Sequence, residues 1–123
     1  EAPVTEVKFA KQILAMARKE LSLPDAAQAE IQAIAFGDAV IVGLPAELFV
    51  EFGLRIKSGS PFPLTIVNEL TNGSVSGYVC TQEAYRQGGY ETRLRPYSRL
   101  HEETGDLFVE HALKLLHRLR AEQ

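Results

Sequence analysis

The sequence predicts an α/β fold: a mixed sheet with a β-hairpin and a β-α-β crossover, flanked by N-terminal and C-terminal helices. Three observations predict it. Two apolar runs within residues 29–44 meet at a turn-forming pair, the order strand, helix, strand spans residues 39–71, and apolar residues recur at helical spacing in segments 5–21 and 103–120. With 123 residues the chain has the size of one ordinary domain, so we expect residues 1–123 to form a single domain.

The first predicted element is an amphipathic surface helix over residues 5–21, which ends before the helix-breaking Leu-Pro-Asp at residues 23–25. Basic residues are interspersed among its apolar positions. Those apolar positions follow helical spacing and are Phe9, Ala10, Ile13, Leu14, Ala17 and Leu21.

Two antiparallel strands are predicted next, at residues 29–36 and 39–44, because Gly37-Asp38 between them suits a tight hairpin turn. The second strand has no polar alternation, which predicts a central strand covered on both faces. A helix over residues 46–57 and a strand over residues 62–71 then complete a crossover with parallel strand pairing.

The rest of the chain is predicted to contain a short strand at residues 75–79 and a short helix that Thr81 caps and that stops at Gly88-Gly89. Residues 90–94 are expected to be extended. A closing helix over residues 103–120 is expected to bury one stripe of side chains, namely Phe108, Ala112, Leu115 and Leu119.

Composition excludes several classes of protein. Apolar residues make up 46% and charged residues 24%, which is typical of a globular domain and not of a disordered chain. A net charge of -3 gives no general attraction to phosphate backbones, so no nucleic-acid partner is expected. No apolar run approaches the ~20 residues of a transmembrane helix. The single cysteine, Cys80, excludes an internal disulfide and is expected to be a buried, inert thiol.

Glu47 is the first candidate for chemistry, because Pro45 before it places it in the first turn of the predicted helix, where the helix dipole favours a carboxylate. There it could bind a metal ion, act as a general base, or only stabilise the helix end. Tyr78, in the short strand, could project its phenol into a cleft or pack in the core. Tyr90 could position a substrate group, with the same structural alternative.

The histidines do not predict a metal site. His111 and His117 lack the i, i+3 or i, i+4 spacing of helical metal pairs, and we expect both to face solvent. His101 lies in a polar loop, where it could ligate a metal ion or simply be solvated. Arginines alternate with tyrosines over residues 85–99, a pattern that could bind an anionic head group or single-stranded nucleic acid. The alternative is that these arginines pair with Glu91, Glu102 and Glu103 of the same chain.

Four segments, taken in order, resemble the neutral/alkaline ceramidase family, most closely the shorter bacterial ceramidase-like proteins. They are Val-Gly-Leu-Pro-Ala-Glu-Leu-Phe at 42–49, Leu-Thr-Asn-Gly at 70–73, Gly-Tyr-Val-Cys-Thr at 77–81, and Glu-Ala-Tyr to Gly-Tyr-Glu at 83–91. The resemblance covers roughly residues 30–120. It implies the C-terminal portion of that family's larger zinc hydrolase domain.

The resemblance also implies roles for three residues. Glu47 falls on the glutamate of the family's Pro-Gly-Glu motif and Tyr78 on the tyrosine of its Tyr-x-x-Thr motif, both of which ligate zinc. Tyr90 matches a tyrosine that lines the active site. The family's remaining zinc ligands are upstream histidines that this chain does not contain. Ala46 in place of glycine and Cys80 in place of threonine or proline depart from the pattern and bear on substrate preference.

The implied activity is zinc-dependent hydrolysis of an N-acyl amide bond in a ceramide-like lipid or a related small amide. The isolated chain is then expected to be inactive, to hold zinc weakly or not at all, and to need the remainder of the hydrolase as a partner. Apolar surface left uncovered predicts self-association. The alternative hypothesis is a non-catalytic binding or assembly module that uses the surface of arginine and tyrosine residues.

Overall fold

The structure is a computed structural model that describes residues 26–73, 75, 77–93 and 100–123, together with Ala15. It has the predicted α/β class with a mixed sheet. Apart from Ala15, the predicted N-terminal helix lies outside the described residues. The described elements, in chain order, are β1 (Gln32–Phe36), β2 (Ala39–Gly43), β3 (Glu47–Leu48), α1 (Val50–Gly59), β4 (Leu64–Asn68), β5 (Tyr78–Val79), α2 (Gln82–Gln87) and α3 (Thr104–Ala121).

The main sheet has three strands in the order β1-β2-β4. β1 pairs antiparallel with β2, and β2 pairs in parallel with β4, so both the hairpin and the crossover are confirmed. The hairpin turns at Gly37, whose φ of 60° lies in the left-handed region that glycine adopts without a steric penalty. β2 is the central strand, as its apolar sequence predicts.

The two faces of the main sheet differ in coverage. Val40 and Val42 of β2 are fully buried in the core that α1 and α3 complete, whereas Ile41 between them is only half-buried. On the face that Ile41 shares, Ile34 of β1 and Ile66 of β4 are exposed. The prediction that β2 is covered on both faces is therefore wrong among the described residues, because α1 and α3 pack against the same face.

The closing helix α3 is confirmed, but its buried stripe differs from the predicted one. Phe108 and Ala112 are buried as expected, while Leu115 and Leu119 are half-buried. The helix instead buries a neighbouring stripe of side chains, which faces α1 and the sheet. Its buried residues are Gly105, Phe108, Val109, Ala112 and Leu116.

The C-terminal end of α3 is fastened to the hairpin by Arg120. Its Nη2 lies 2.8 Å from Oδ1 of Asp38, its Nη1 donates to the carbonyl oxygen of Gly37 at 3.3 Å, and its guanidinium lies 5.1 Å from the ring centroid of Phe62. A planar guanidinium can make these contacts together. They fix the last turn of α3 over the β1-β2 turn.

Three local predictions need correction or refinement. The helix after β2 begins at Val50 and not at residue 46, because residues 47–48 form β3. The predicted strand over 75–79 is reduced to β5, which pairs with β3 and not with the main sheet. Tyr90 and the following residues to Arg93 form turns and not an extended segment.

The cap of α2 is confirmed, since Thr81 Oγ1 accepts a hydrogen bond from the N–H of Ala84 at 3.1 Å.

Within the part of the chain that the structure describes, no helix has the length and apolar character needed to cross a membrane.

The contact between α1 and α3 predicts a steric effect at Gly105. A Cβ at this position would lie 2.6 Å or less from three ring carbons of Phe52, which is itself only 3% exposed and cannot turn away into solvent. We expect Gly105→Ala to destabilise the fold by about 1–3 kcal/mol through overpacking, measured as the shift in urea unfolding.

Gly53 of α1 provides the matched control, because a Cβ there would meet nothing closer than Val67 Cγ1 at 3.9 Å. Gly53→Ala should be neutral or stabilising by up to about 1 kcal/mol, the usual gain for alanine in a helix. The smaller ring-free side chain in Phe52→Leu should reduce the cost of Gly105→Ala. Equal unfolding midpoints for the two glycine variants would contradict this account of the helix contact.

Candidate functional site

A second, two-stranded sheet brings the predicted metal ligands together. β3 pairs in parallel with β5, and the register sets Glu47 opposite Tyr78. The N–H of Glu47 donates to the carbonyl of Gly77 at 3.1 Å, and the N–H of Phe49 donates to the carbonyl of Val79 at 3.0 Å. Because residues in register on adjacent strands project to the same face, the Glu47 carboxylate and the Tyr78 phenol are neighbours.

The position of Glu47 in a strand corrects the sequence-based account of why its carboxylate is there. Glu47 is not in the first turn of a helix, so the helix dipole does not stabilise it; the acidic residue in the first turn of α1 is Glu51. The backbone of Glu47 is instead engaged with β5, a partner far along the chain. Local sequence carries no signal for that pairing.

The segment that delivers Glu47 to this position is held by the loop that follows β4. The N–H of Thr71 donates to the carbonyl of Leu44 at 3.0 Å, that of Leu70 to Ala46 at 3.3 Å, and that of Val75 to Pro45 at 3.0 Å. These bonds satisfy three successive carbonyl groups of a buried segment. The path from β2 to β3 is thus specified by backbone hydrogen bonding.

The loop itself adopts a demanding backbone conformation. Leu70 and Asn72 have φ of 54° and 61°, in the left-handed region that side chains other than glycine rarely adopt. The loop also approaches Gly43 closely, since a Cβ there would lie 2.6 Å from Oγ1 of Thr71 and 2.8 Å from Nδ2 of Asn72. Glycine at the end of β2 makes room for this loop beside the site.

The Tyr78 phenol and the Glu47 carboxylate lie close enough to interact electrostatically. The negative charge of Glu47 is the main reason that the pKa of Tyr78 is raised above its ordinary 10.0, and partial burial acts in the same direction. At neutral pH Tyr78 is therefore a neutral phenol.

Tyr90 joins the same cluster. Its ring packs edge-on against Tyr78, with ring centroids 6.1 Å apart and an interplanar angle of 75°. Tyr90 is 52% exposed, so it forms the outer side of the cluster. The structure thus brings together Glu47, Tyr78 and Tyr90, which come from three separate segments of the chain.

Glu91 also belongs to this site, although the sequence indicated it only as a partner for nearby arginines. Its negative charge contributes to the raised pKa of Tyr78 and to that of Cys80. The one sequence signal that could have found it is its position directly after Tyr90. Together with Glu47, it makes the surroundings of Tyr78 electronegative.

Cys80 follows β5 and lies behind the site. It is 1% exposed, and burial, helped by the charge of Glu91, raises the pKa of its thiol to about 11. The Tyr85 phenol lies close enough to affect the pKa of this thiol. The buried thiol predicted from sequence is confirmed, and at neutral pH it carries its proton.

The histidines lie on the surface. His101, His111 and His117 are exposed, which confirms the prediction for the two on α3, and Nδ1 of His101 accepts a hydrogen bond from the N–H of Glu103 at 3.3 Å. Among the described residues, no three His, Cys, Asp or Glu side chains group in a way that could hold a metal ion.

The surface of arginine and tyrosine residues is only partly described, because residues 94–99 lie outside the described residues. Arg86 forms an ion pair with Glu83 at 2.7 Å. Pairing within the chain is the alternative that the sequence offers for these arginines, but Glu83 is not among the predicted partners. Binding of an anionic ligand by this surface stays a prediction.

A groove of about 260 Å³ lies beside β3, lined largely by apolar residues that include Leu48, Phe49 and Leu54. Polar groups are present in the lining too: the carboxylate of Glu69 accepts a hydrogen bond from the N–H of Leu48 at 2.9 Å. Leu48 follows Glu47 in β3, and successive side chains of a strand point to opposite faces. The groove therefore lies beside β3, but Glu47, Tyr78 and Tyr90 do not line it.

Comparison with known proteins gives no match, whether to family models, to curated proteins or to solved structures.

The pairing of Glu47 with Tyr78 predicts a change in the ionisation of the phenol. Glu47→Gln removes the negative charge that contributes most to the raised pKa of Tyr78, so the phenolate is less disfavoured and the pKa should fall toward the ordinary ~10. Ultraviolet titration of tyrosinate in each background, with the signal of the matching Tyr78→Phe protein subtracted, measures it.

Glu83→Gln is the control for this titration, because it removes the same charge from a carboxylate that is engaged with Arg86 and Gln87 and does not act on Tyr78. It should leave the pKa of Tyr78 unchanged. A pKa that stays the same or rises in Glu47→Gln would show that the two side chains are not electrostatically coupled.

Proposed function

We propose that this chain is the C-terminal portion of a ceramidase-like, zinc-dependent amide hydrolase, in which Glu47 and Tyr78 are metal ligands and Tyr90 lines the substrate site. The observation that carries the proposal is the register of β3 with β5, which sets Glu47 beside Tyr78. The ordered motifs single out the same two residues, which lie far apart in the chain. Their adjacency in space is what a shared metal ion requires.

The donor atoms fit part of a zinc site. Zinc accepts carboxylate oxygen among its ligands, and catalytic sites commonly use three protein ligands with one position open for water or substrate. The described residues offer one carboxylate and one phenol at the cluster, so further ligands have to come from other parts of the proposed hydrolase. Bound zinc would polarise the amide carbonyl and lower the pKa of a bound water toward ~7.

Tyr78 has to lose its proton before its oxygen can act as an anionic ligand. Glu47 holds that proton in place, because its negative charge raises the pKa of the phenol. A cation between the two oxygens would reverse this electrostatic balance, so that metal binding and release of the Tyr78 proton are coupled. Binding by this pair should consequently strengthen as the pH rises.

Tyr90 and the groove beside β3 supply the features that a substrate would contact. The Tyr90 ring is held by its edge-on contact with Tyr78 and remains half-exposed, so its phenol can meet a substrate group. The apolar groove of about 260 Å³ next to Leu48 is not lined by Glu47, Tyr78 or Tyr90, but it lies on the same strand as Glu47 and its apolar lining suits the hydrocarbon part of an N-acylated lipid. These features favour an N-acyl amide with an apolar chain as the substrate class.

The decisive experiment compares variants of the longer hydrolase that contains this chain, with zinc content and N-acyl amide hydrolysis measured on the same preparations. Glu47→Gln and Tyr78→Phe each remove one oxygen ligand and should lower both zinc content and hydrolysis, the latter by roughly 100-fold or more. Tyr90→Phe should keep the zinc and slow hydrolysis, because Tyr90 orients substrate and does not ligate.

Glu83→Gln is the control, since Glu83 is exposed and engaged with Arg86 on α2. It should retain both zinc and activity. The 123-residue chain alone should show no amide hydrolysis, because it lacks the upstream histidines of the proposed site. Full zinc content in both Glu47→Gln and Tyr78→Phe would overturn the assignment of these residues as ligands.

A further inference from the structure

Among the residues that the structure describes, nothing covers the apolar side of the main sheet that faces away from α1 and α3. Strand register places Ile34, Ile41 and Ile66 in one row across β1, β2 and β4, and places Phe36 and Leu64 in the next row on the same face. Ile34, Phe36 and Leu64 are each 56% exposed and Ile66 is 43% exposed. We call these five residues the open sheet face.

We propose that the open sheet face is the docking surface for this chain's own N-terminal segment, residues 5–21, which packs on it as an amphipathic helix. This inference is independent of the proposed function, because it concerns the face of the sheet and not the cluster at β3 and β5.

The sequence pattern of the segment fits an apolar sheet face. Its large apolar residues recur at the spacing of one helical stripe, and lysine and arginine occupy the other side of the helical wheel. Ala15, the one residue of this segment that the structure describes, is helical and exposed, and it belongs to the side opposite the stripe. The stripe residues that would contact the sheet are Phe9, Ile13, Leu14, Ala17 and Leu21.

The dimensions also match. A helix over residues 5–21 would be about 25 Å long and about 10 Å wide with its side chains. The five-residue strands span about 17 Å, and the outer strands of a three-stranded sheet are about 10 Å apart. One helix is therefore sufficient to cover the open sheet face along its length and across most of its width.

The connection limits where the segment can dock. The segment precedes β1, which is an edge strand of the same sheet. Ala27, Ala29 and Ile31 before β1 already line a groove beside α3, so residues 22–25 make the connection, which spans at most about 18 Å when extended. This short connection places the end of the segment near β1, at the edge of the open sheet face. The covalent tether also favours the intrachain segment over a second copy of the protein, because a short linker gives an effective concentration in the mM range.

Sheets joined by β-α-β crossovers are normally covered by helices on both faces. Here α1 and α3 cover one face, and besides the short helix α2 the sequence predicts one further helix, over residues 5–21. Docking would bury Ile34 and Ile66 together with the stripe of the helix, and each such side chain stabilises the fold when it is removed from water.

Thiol labelling of the full chain tests the proposal. Ile34→Cys places a reporter on the open sheet face, and Leu54→Cys places one on α1, where the parent side chains are 56% and 58% exposed. The native Cys80 gives little background, because it is 1% exposed and burial raises its pKa to about 11. Docking should slow labelling of the first reporter relative to the second by roughly tenfold or more, since each ~1.4 kcal/mol of docking free energy lowers the undocked population tenfold.

Two substitutions in the segment then identify the occupant. Ile13→Asp introduces a charge into the apolar stripe and should restore fast labelling at position 34, whereas Gln12→Asp, with the same charge change on the polar side, should preserve the protection. Ile66→Cys serves as an independent reporter on the far strand. Equal labelling of the two reporter positions in the otherwise native chain would mean that the face is free, and would overturn the proposal.

Protection that increases with protein concentration and is indifferent to Ile13→Asp would also overturn it, because a second copy of the chain would then be the occupant.

Discussion

The constraint on which the rest of the structure depends is the path of residues 44–49 between two other segments of the chain. Backbone hydrogen bonds from the loop after β4 hold Leu44 and the two residues after it, and hydrogen bonds to Gly77 and Val79 hold the next part. Because residues 44–46 are buried, the bonds to their carbonyl groups satisfy acceptors that water cannot reach. Gly43 is needed at its start, since any side chain would collide with Thr71 and Asn72.

Once that path is fixed, the electrostatics of the site follow from which side chains it brings together. Glu47, Tyr90 and Glu91 all raise the pKa of Tyr78, so every charge identified at the phenol disfavours a further negative charge. The raised pKa keeps Tyr78 protonated at neutral pH. The same arrangement is attractive to a cation, because a positive charge would be stabilised by Glu47 and would favour the phenolate. The geometry therefore suits exchange of a proton for a metal ion.

The fold was predictable from sequence where the signals are local. Gly37-Asp38 marks the hairpin, the apolar run of β2 marks the central strand, and Thr81 marks the start of α2. The short strands β3 and β5 were not predictable as a pair, because two residues carry no periodicity and their register depends on a distant partner. For the same reason Glu47 was expected in a helix: a proline two residues earlier is typical of a helix start, and only tertiary pairing overrides it. The site residues came from the resemblance of ordered motifs, whereas Glu91 acts by proximity alone and left no comparable signal.

The central strand β2 connects the two parts of the molecule that bear on function. Val40 and Val42 anchor it in the core, Ile41 faces the open side of the sheet, and Gly43 at its carboxyl end leads into the segment that carries Glu47. In the proposed metal site, the ligand geometry would have to be held to within about 0.5 Å, which would require a rigid strand leading to Glu47. Within the described residues, β1 and β4 are the edge strands of the main sheet, and each is hydrogen-bonded to β2 alone. Covering the second face would restrain β1 and β4 on either side of β2, and would thereby hold the approach to Glu47 in place from the far side of the sheet.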